Sequence, residues 1–488
     1  MKPKHFLIIV FIIWLVTVYM LFGPNSRARK ARVEVESAGG GRTEVVFWHA
    51  MGGVLGDVMN EMIANYNAQS DKYHLKAVSM GSYDTLSKKL LASLIAKEAP
   101  DIAQNYETLT KKFITHKKIV SLDELIEKDI AAGGEDIRKD IIPVLLRNNT
   151  YDGILYSFPF NKSVPILYYN KDMFREVGLD PEKPPKSYQQ MIEYCKKITD
   201  YYGKQPGKYD YCGFASSAAN VWTYLCKVRA CGGKIVSQGS DGILYSHFDE
   251  EPAVKALKIL QELMRYRKKT ALDKDGKERT VTFRYAKEGQ GFDHQNDFTS
   301  GKVAMIEASI VSKVYMQNSI RFDWGMAPMP GYEMEKDGEP YLNMGLILSG
   351  TNINIFNNGD PEKIAGAWDF VKWFTSTENG SYWSRNTTYL PVRISSVTSP
   401  EMMEARRNDS RLNAGYESLE FASFEPRLTA WFEIRDMLAD VLEKATIDLA
   451  EIGPEGELPD AKTNYCDLMK KDVDAILKYV TDTDDALE

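Results

Sequence analysis

The chain has 488 residues, too many for a single hydrophobic core and enough for two or more domains. Its 61 basic and 68 acidic residues are mixed along the chain and leave a formal charge of -7, which argues against a nucleic-acid surface, since that needs a basic stripe. With 44% hydrophobic and 11% aromatic residues, each domain can bury a sizeable core.

At the N-terminus, Lys2 and Lys4 precede an unbroken apolar run from Phe6 to Phe22, ended by Gly23, Pro24, Asn25 and Ser26. Its length lies between a signal-peptide core and a full membrane span, so it predicts export, with cleavage and retention as an anchor both open. No cysteine is near, which excludes a lipoprotein-type anchor, and Ala28 is the one candidate for cleavage. Arg27, Arg29, Lys30 and Arg32 oppose export by the positive-inside rule. Residues 31–43 read as a flexible Gly, Ser and Glu tether.

Folded sequence begins at Glu44. Val45 to Trp48 predicts a buried strand, Val54 to Asn67 a helix and Tyr73 to Val78 a second strand, followed by a helix over 84–97 and a strand at 99–103. This alternation predicts an α/β fold with a mostly parallel sheet covered by helices. Tyr151 to Phe174, YDGILYSFPFNKSVPILYYNKDMF, reads as a strand leaving one domain, a polar elbow at Asn161-Lys162-Ser163, and a buried strand opening a second domain. Helices follow over 187–199, 222–230 and 252–266. Residues 267–295 are charged, carry Asp275-Gly276 and read as an exposed insertion, and a mobile loop is expected from Pro330 to Pro340. Leu342 to Phe356 is apolar but interrupted at Gly350. Residues 361–374 form a strong helical pattern, and two long helices close the chain over 428–449 and 465–480.

Enzyme signatures are missing one by one: no GxxxxGK[ST] loop, no GxGxxG turn, no HExxH and no GxSxG elbow. The six histidines have no ligand spacing, and no metal or cofactor is expected. Paired acids for glycoside chemistry stay open in principle, since 68 acids are present and none is singled out as a pair. The five cysteines (Cys195, Cys212, Cys226, Cys231, Cys466) form no CxxC pair; a Cys226–Cys231 bridge and buried free thiols both fit.

Residues 151–174, with NKDMFREVGLDPEKPPKSY (170–188) and FWHAMGG (47–53), resemble the extracellular solute-binding proteins of ABC transporters, and within them the glycerol-3-phosphate-binding branch. The resemblance covers most of 44–450. It implies a two-lobed periplasmic-binding-protein-like fold of type II, with ligand in the interlobe cleft and three hinge crossings near 156–161, 346–350 and 393–400. Lobe 1 is then 43–156 with 350–397, and lobe 2 is 157–349 with 398–488. It implies a chain that is not an enzyme, a location on the periplasmic or extracellular face of the cytoplasmic membrane, ABC permease subunits as partners, and glycerol-3-phosphate, a glycerophosphodiester or a neutral sugar as ligand.

Site residues follow from matching positions. Tyr83-Asp84 match a Tyr-Glu pair that holds the glycerol end, although Asp84 also suits a helix cap. Ser163 matches the branch's NSS elbow, where Lys162 replaces a serine and could add positive charge. Tyr188 stands where the branch has a stacking tryptophan; Trp222 is a similar aromatic in poorer register. Ser309 in MIEAS and Gly350-Thr351 in LSGTN sit where cleft-facing loops follow buried strands, with Gly350 open to anion approach or to an interlobe bend. Tyr389, in TTYLPVR, matches a phosphate-contacting tyrosine. Arg427, in FEPRLTAWFEIR, matches an arginine used for phosphate; its planar guanidinium suits a bidentate pair, and a salt bridge with Glu425 or Glu433 is the bland alternative.

Overall fold

The structure is a computed structural model and describes residues 41–480, apart from 97, 206, 209, 210, 218, 219, 265, 273–277, 285–291 and 451–457. The β-branched and aromatic run Val45 to Trp48 favours a pleated strand, and Thr43–His49 is one (β1). Helix Gly53–Gln69 (α1) leads to strand Tyr73–Ser79 (β2), which lies parallel to β1 with Thr43 opposite Tyr73. Helix Tyr83–Ala96 (α2) and strand Ile102–Asn105 (β3) repeat the unit on the other edge of β1. Helix Glu107–Thr115 (α3) starts directly after β3.

Strand Phe158–Ser163 (β4) and strand Pro165–Asn170 (β5) are separated by Val164 alone. The second lobe continues with helix Tyr188–Tyr202 (α4), strand Cys212–Ala215 (β6), and helices Val221–Ala230 (α5) and Glu251–Met264 (α6). It adds strands Val303–Ser309 (β7) and Trp324–Pro328 (β8). Strand Ser349–Ile355 (β9) belongs to the first lobe again, with helices Pro361–Phe374 (α7) and Thr377–Thr387 (α8) behind it. Helices Trp431–Ala450 (α9) and Asp467–Leu477 (α10) close the chain.

Two sheets result. The first has the order β2-β1-β3-β9-β4 and the second β8-β5-β7-β6. The α/β alternation read from the sequence therefore forms two separate layered lobes. An aromatic cluster fills the first: Phe160 packs on Phe374 at 4.9 Å and stacks on Trp383 at 5.9 Å, and Phe47 packs on Phe370 at 5.7 Å. Such pairs contribute about 0.5–1.5 kcal/mol each beyond their buried area. In the second lobe α9 buries Trp431, Ile434, Leu438 and Leu442, one face at helical spacing, against α5 and α6.

Several expectations shift. β4 pairs with β9 inside the first sheet, Ser349 opposite Ser163, so the first change of lobe falls at Val164 and not at 156. The expected polar elbow is fully buried strand, because Asn161, Lys162 and Ser163 each find a side-chain partner. Helix Pro400–Asn408 packs on α8 and helix Asn413–Ser418 on β8, which moves the third change from 393–400 to about 408–413. Residues 330–340 are no loop: Tyr332–Lys336 and Glu339–Asn343 pair antiparallel around Asp337-Gly338, both at positive φ, as a two-residue hairpin turn requires. Tyr266–Leu272 and Glu278–Arg284 likewise pair, and Asp275-Gly276 lies outside the described residues. So does the apolar run 6–22; among the described residues no helix is long and apolar enough to cross a membrane.

All five cysteines are free and buried, which removes the Cys226–Cys231 bridge. Burial pushes the thiols of Cys226, Cys231 and Cys466 up to about 12, so thiolate is scarce at neutral pH. A thiol-reactive disulfide reagent should leave the native chain unmodified over minutes and titrate five thiols in denaturant; a count of three would restore the bridge.

His49 ends β1 and is buried, and the Met51 N–H donates to its Nδ1 at 3.1 Å, a bond only the neutral ring can accept. Burial lowers its pKa to about 4. The unfolded chain binds this proton from about pH 6.5 downward and the folded chain does not, so stability falls as pH drops through that window. Between pH 6.5 and 5 the loss from this group is about 2 kcal/mol. Urea unfolding at both pH values should show it, and His49→Gln, which keeps an acceptor without the titration, should remove that part.

Candidate functional site

A cleft of about 560 Å³ runs between the lobes. The first lobe supplies Tyr83, Asp84, Ser87, Lys88 and Leu91 from α2, Tyr106 to Leu109 from the start of α3, and Leu348 to Gly350 at the head of β9. The second lobe supplies Phe424 to Pro426 and the start of α9, with the buried Trp431 beside Phe432, Arg435 and Asp436. The placement follows from the fold: α2 and α3 begin where parallel strands end, and open α/β sheets present their ligand crevices at that edge.

A line of aromatic rings leads from the first core to this cleft. Trp383 stacks on Tyr389 at 6.0 Å and 7°. The Tyr389 hydroxyl shares a hydrogen bond with the Tyr83 hydroxyl at 3.1 Å. Tyr83 packs on Tyr106 at 5.5 Å, and Tyr106 meets Phe432 of the other lobe at 5.7 Å, nearly edge to face. Burial raises the pKa of all three tyrosines, so each phenol stays neutral and able to donate.

Electrostatics come from behind the wall. The Lys162 ammonium, without solvent contact, donates to Glu107 at 2.9 Å and to Asn148 at 2.7 Å. Burial lowers its pKa, and Glu107 opposes that shift. On the cleft surface Lys88 pairs with Asp84 at 2.8 Å, and Arg435 pairs with Glu425, which also accepts from the Trp431 indole at 2.6 Å.

Of the residues expected at a site, Tyr83, Asp84 and Gly350 line this cleft. Asp84 is no cap, because the Ser82 hydroxyl accepts from the Thr85 N–H. Gly350 has φ +104, and a Cβ there would lie 1.7 Å from the Asn161 carbonyl oxygen, so the strand pairing itself demands glycine. Tyr389 stands one hydrogen bond behind Tyr83. Thr351 accepts from Gln104 in the first core at 2.7 Å. Ser163 and Ser309 share a 2.6 Å hydrogen bond that ties β4 to β7 across the lobe boundary; neither is among the lining residues, though Ser163 pairs with Ser349, which is.

Three expected residues are not among those that line this cleft. Tyr188 is fully buried in the second core with the Lys227 ammonium 5.2 Å from its ring centre, so no ligand stacks on it here. Trp222 donates its indole N–H to the Ile347 carbonyl at 2.7 Å. Arg427 neither reaches the cleft nor pairs with Glu425 or Glu433; it donates to the Thr150 carbonyl at 2.7 Å and lies over the Tyr151 ring at 4.6 Å, bridging the lobes. Glu107, Tyr106, Phe432 and Arg435 were missed. The first two follow β3 directly in QNYET, and that strand-to-helix junction was the available signal.

The model of the family described as bacterial extracellular solute-binding protein matches residues 61–407. The sn-glycerol-3-phosphate-binding periplasmic protein UgpB of Pectobacterium atrosepticum is 30% identical over 358 residues, covering 72% of this chain and 73% of that one. Its namesake from Escherichia coli K12 is 28% identical over 72% of this chain and 74% of its own. Among solved structures, UgpB from Mycobacterium tuberculosis in complex with glycerophosphocholine matches with a TM-score of 0.70 at 22% identity, over 90% of this chain and 99% of that one. A cyclic alpha-maltosyl-1,6-maltose binding protein from Arthrobacter globiformis matches with a TM-score of 0.68 at 23% identity, over 90% and 100%.

The buried pair beneath the cleft can be tested without a ligand. Glu107→Gln leaves the Lys162 charge desolvated and should cost about 3 kcal/mol of folding stability, the range for breaking one side of a buried pair. Denaturant unfolding measures this, and the double variant Glu107→Gln with Lys162→Met should recover most of the loss.

Proposed function

This chain belongs to the bacterial extracellular solute-binding protein family, and from that premise we propose that it is the binding subunit of an ABC importer for glycerol-3-phosphate or a glycerophosphodiester. The observation that carries the reading is the identity to glycerol-3-phosphate-binding proteins across most of both chains. Supporting it is a cleft walled by both lobes, with hydroxyl, carboxylate and aromatic groups suited to a small polyol.

Ligand entering the cleft meets Tyr83, Asp84, Tyr106 and Glu107 from one lobe and Phe432 and Arg435 from the other. A molecule that contacts both walls favours the closed arrangement by its differential affinity, and the closed form is what a permease reads. Tyr389 acts through Tyr83 as a positioning residue, and Ser163, Ser309 and Thr351 hold the strands beneath. The chain binds without turning over its ligand. It works outside the cytoplasm, and residues 6–22 direct export, remaining as an anchor or being removed.

A second reading has its own observation. Aromatic rings beside carboxylates also suit a neutral oligosaccharide, whose apolar face stacks while its hydroxyls donate. Calorimetric titration of the full chain, kept in solution by a mild detergent, decides between them. Saturable one-to-one binding of glycerol-3-phosphate or glycerophosphocholine with maltose inert is the expected result. Binding of maltose alone establishes the sugar reading instead, and binding of none of the three removes both ligand classes.

A further inference from the structure

Lys162 reads in the sequence as a positive charge near an anion, yet its ammonium does not reach the cleft. It has no solvent contact, and it donates at 2.9 Å to Glu107, a cleft-lining carboxylate whose side chain keeps 19% of its surface exposed. Asn148, 1% exposed, holds the ammonium at 2.7 Å as well. The backbone is tied too, since the Leu390 N–H donates to the Lys162 carbonyl at 2.8 Å and Gly350 pairs opposite on β9. The charge is fixed behind the wall.

The other acids of the cleft meet their cations on its surface. Lys88 pairs with Asp84 and Arg435 with Glu425, and Asp436 lies in the field of both. Glu107 takes its counter-charge from inside the lobe, where a low dielectric makes a charge pair far stronger than in water. That difference bears on an anionic ligand. A phosphate monoester brings about -1.5 to -2 charges at neutral pH, and an unmatched carboxylate on the wall would repel it. With the ammonium behind it, Glu107 is neutralised as a pair, and its hydrogen-bonded Oε1 fixes how the carboxylate turns toward a ligand hydroxyl.

We propose, on the importer reading above, that Lys162 is a positioning residue for ligand binding: acting through Glu107, it orients that carboxylate and cancels its charge, so that the cleft admits an anionic ligand. Calorimetric titration of the full chain in mild detergent tests this. The probes are glycerol-3-phosphate and glycerophosphocholine, which share a glycerol phosphate and differ in net charge. The variants are Lys162→Met and the double variant Lys162→Met with Glu107→Gln, which is neutral again and keeps an acceptor at 107; thermal unfolding checks the folding of each. Lys162→Met should bind glycerol-3-phosphate at least about 10-fold more weakly and lose less for glycerophosphocholine, and the double variant should return to within about threefold of the wild type for both. Where Lys162→Met does not fold, the double variant decides by the same threefold limit. Equal losses for the two phosphates in Lys162→Met, or no recovery in the double variant, is what a merely structural lysine gives; either overturns the inference and leaves the importer reading standing. So does wild-type binding of glycerophosphocholine without glycerol-3-phosphate, since the wall then excludes the anion. If the wild type takes glycerol-3-phosphate alone, its loss and recovery decide. Binding of neither phosphate by the wild type overturns both.

Discussion

A lysine ammonium out of reach of water fixes the junction on which the two lobes depend. Lys162 lies in β4, two residues before the chain changes lobe, and its charge is held by Glu107 and Asn148. Desolvating such a charge costs several kcal/mol, and the arrangement survives only because its partners are set by other elements. The Leu390 N–H donates to the Lys162 carbonyl at 2.8 Å, while Gly350 lies opposite on β9 with no room for a side chain. Sheet pairing, a buried ion pair and a required glycine thus converge on one short stretch.

That convergence reaches the cleft through Glu107. Its carboxylate is held from behind by a group belonging to the crossing strand, so the cleft wall and the lobe junction share one electrostatic unit. The aromatic line does the same mechanically. Rings packed from Phe374 through Phe160, Trp383 and Tyr389 support Tyr83, whose neighbour Tyr106 touches the opposite lobe at Phe432. A close-packed interior transmits displacement, so the cleft surface inherits the rigidity of the first core.

The alternation of apolar and helical periodicity from β1 to β3 made the first lobe legible, and the run from Tyr151 to Phe174 announced a change of domain without fixing its place. What the sequence hid was local competition among partners. Asn161, Lys162 and Ser163 read as an exposed elbow because polarity ordinarily marks a turn, yet each is buried beside a matching group that is distant in sequence. Arg427 and Tyr188 are polar or aromatic residues at helix starts, and nothing local says whether such a side chain turns to a cleft, a carbonyl or a core. Asp337-Gly338 is a hairpin signal in its own right, and the loop reading of 330–340 passed it over.

The cysteines are divided unevenly between the lobes. Among the described residues all five lie in the second lobe, none of them bridged. In oxidising compartments outside the cytoplasm disulfides form and persist, so thiols meant to stay free there gain from burial. Packing of the second core is therefore also what shields the sulfur atoms, which sit on α4, β6, α5 and its C-terminal end, and the turn before α10. The first lobe, with no cysteine among its described residues, has no sulfur to shield.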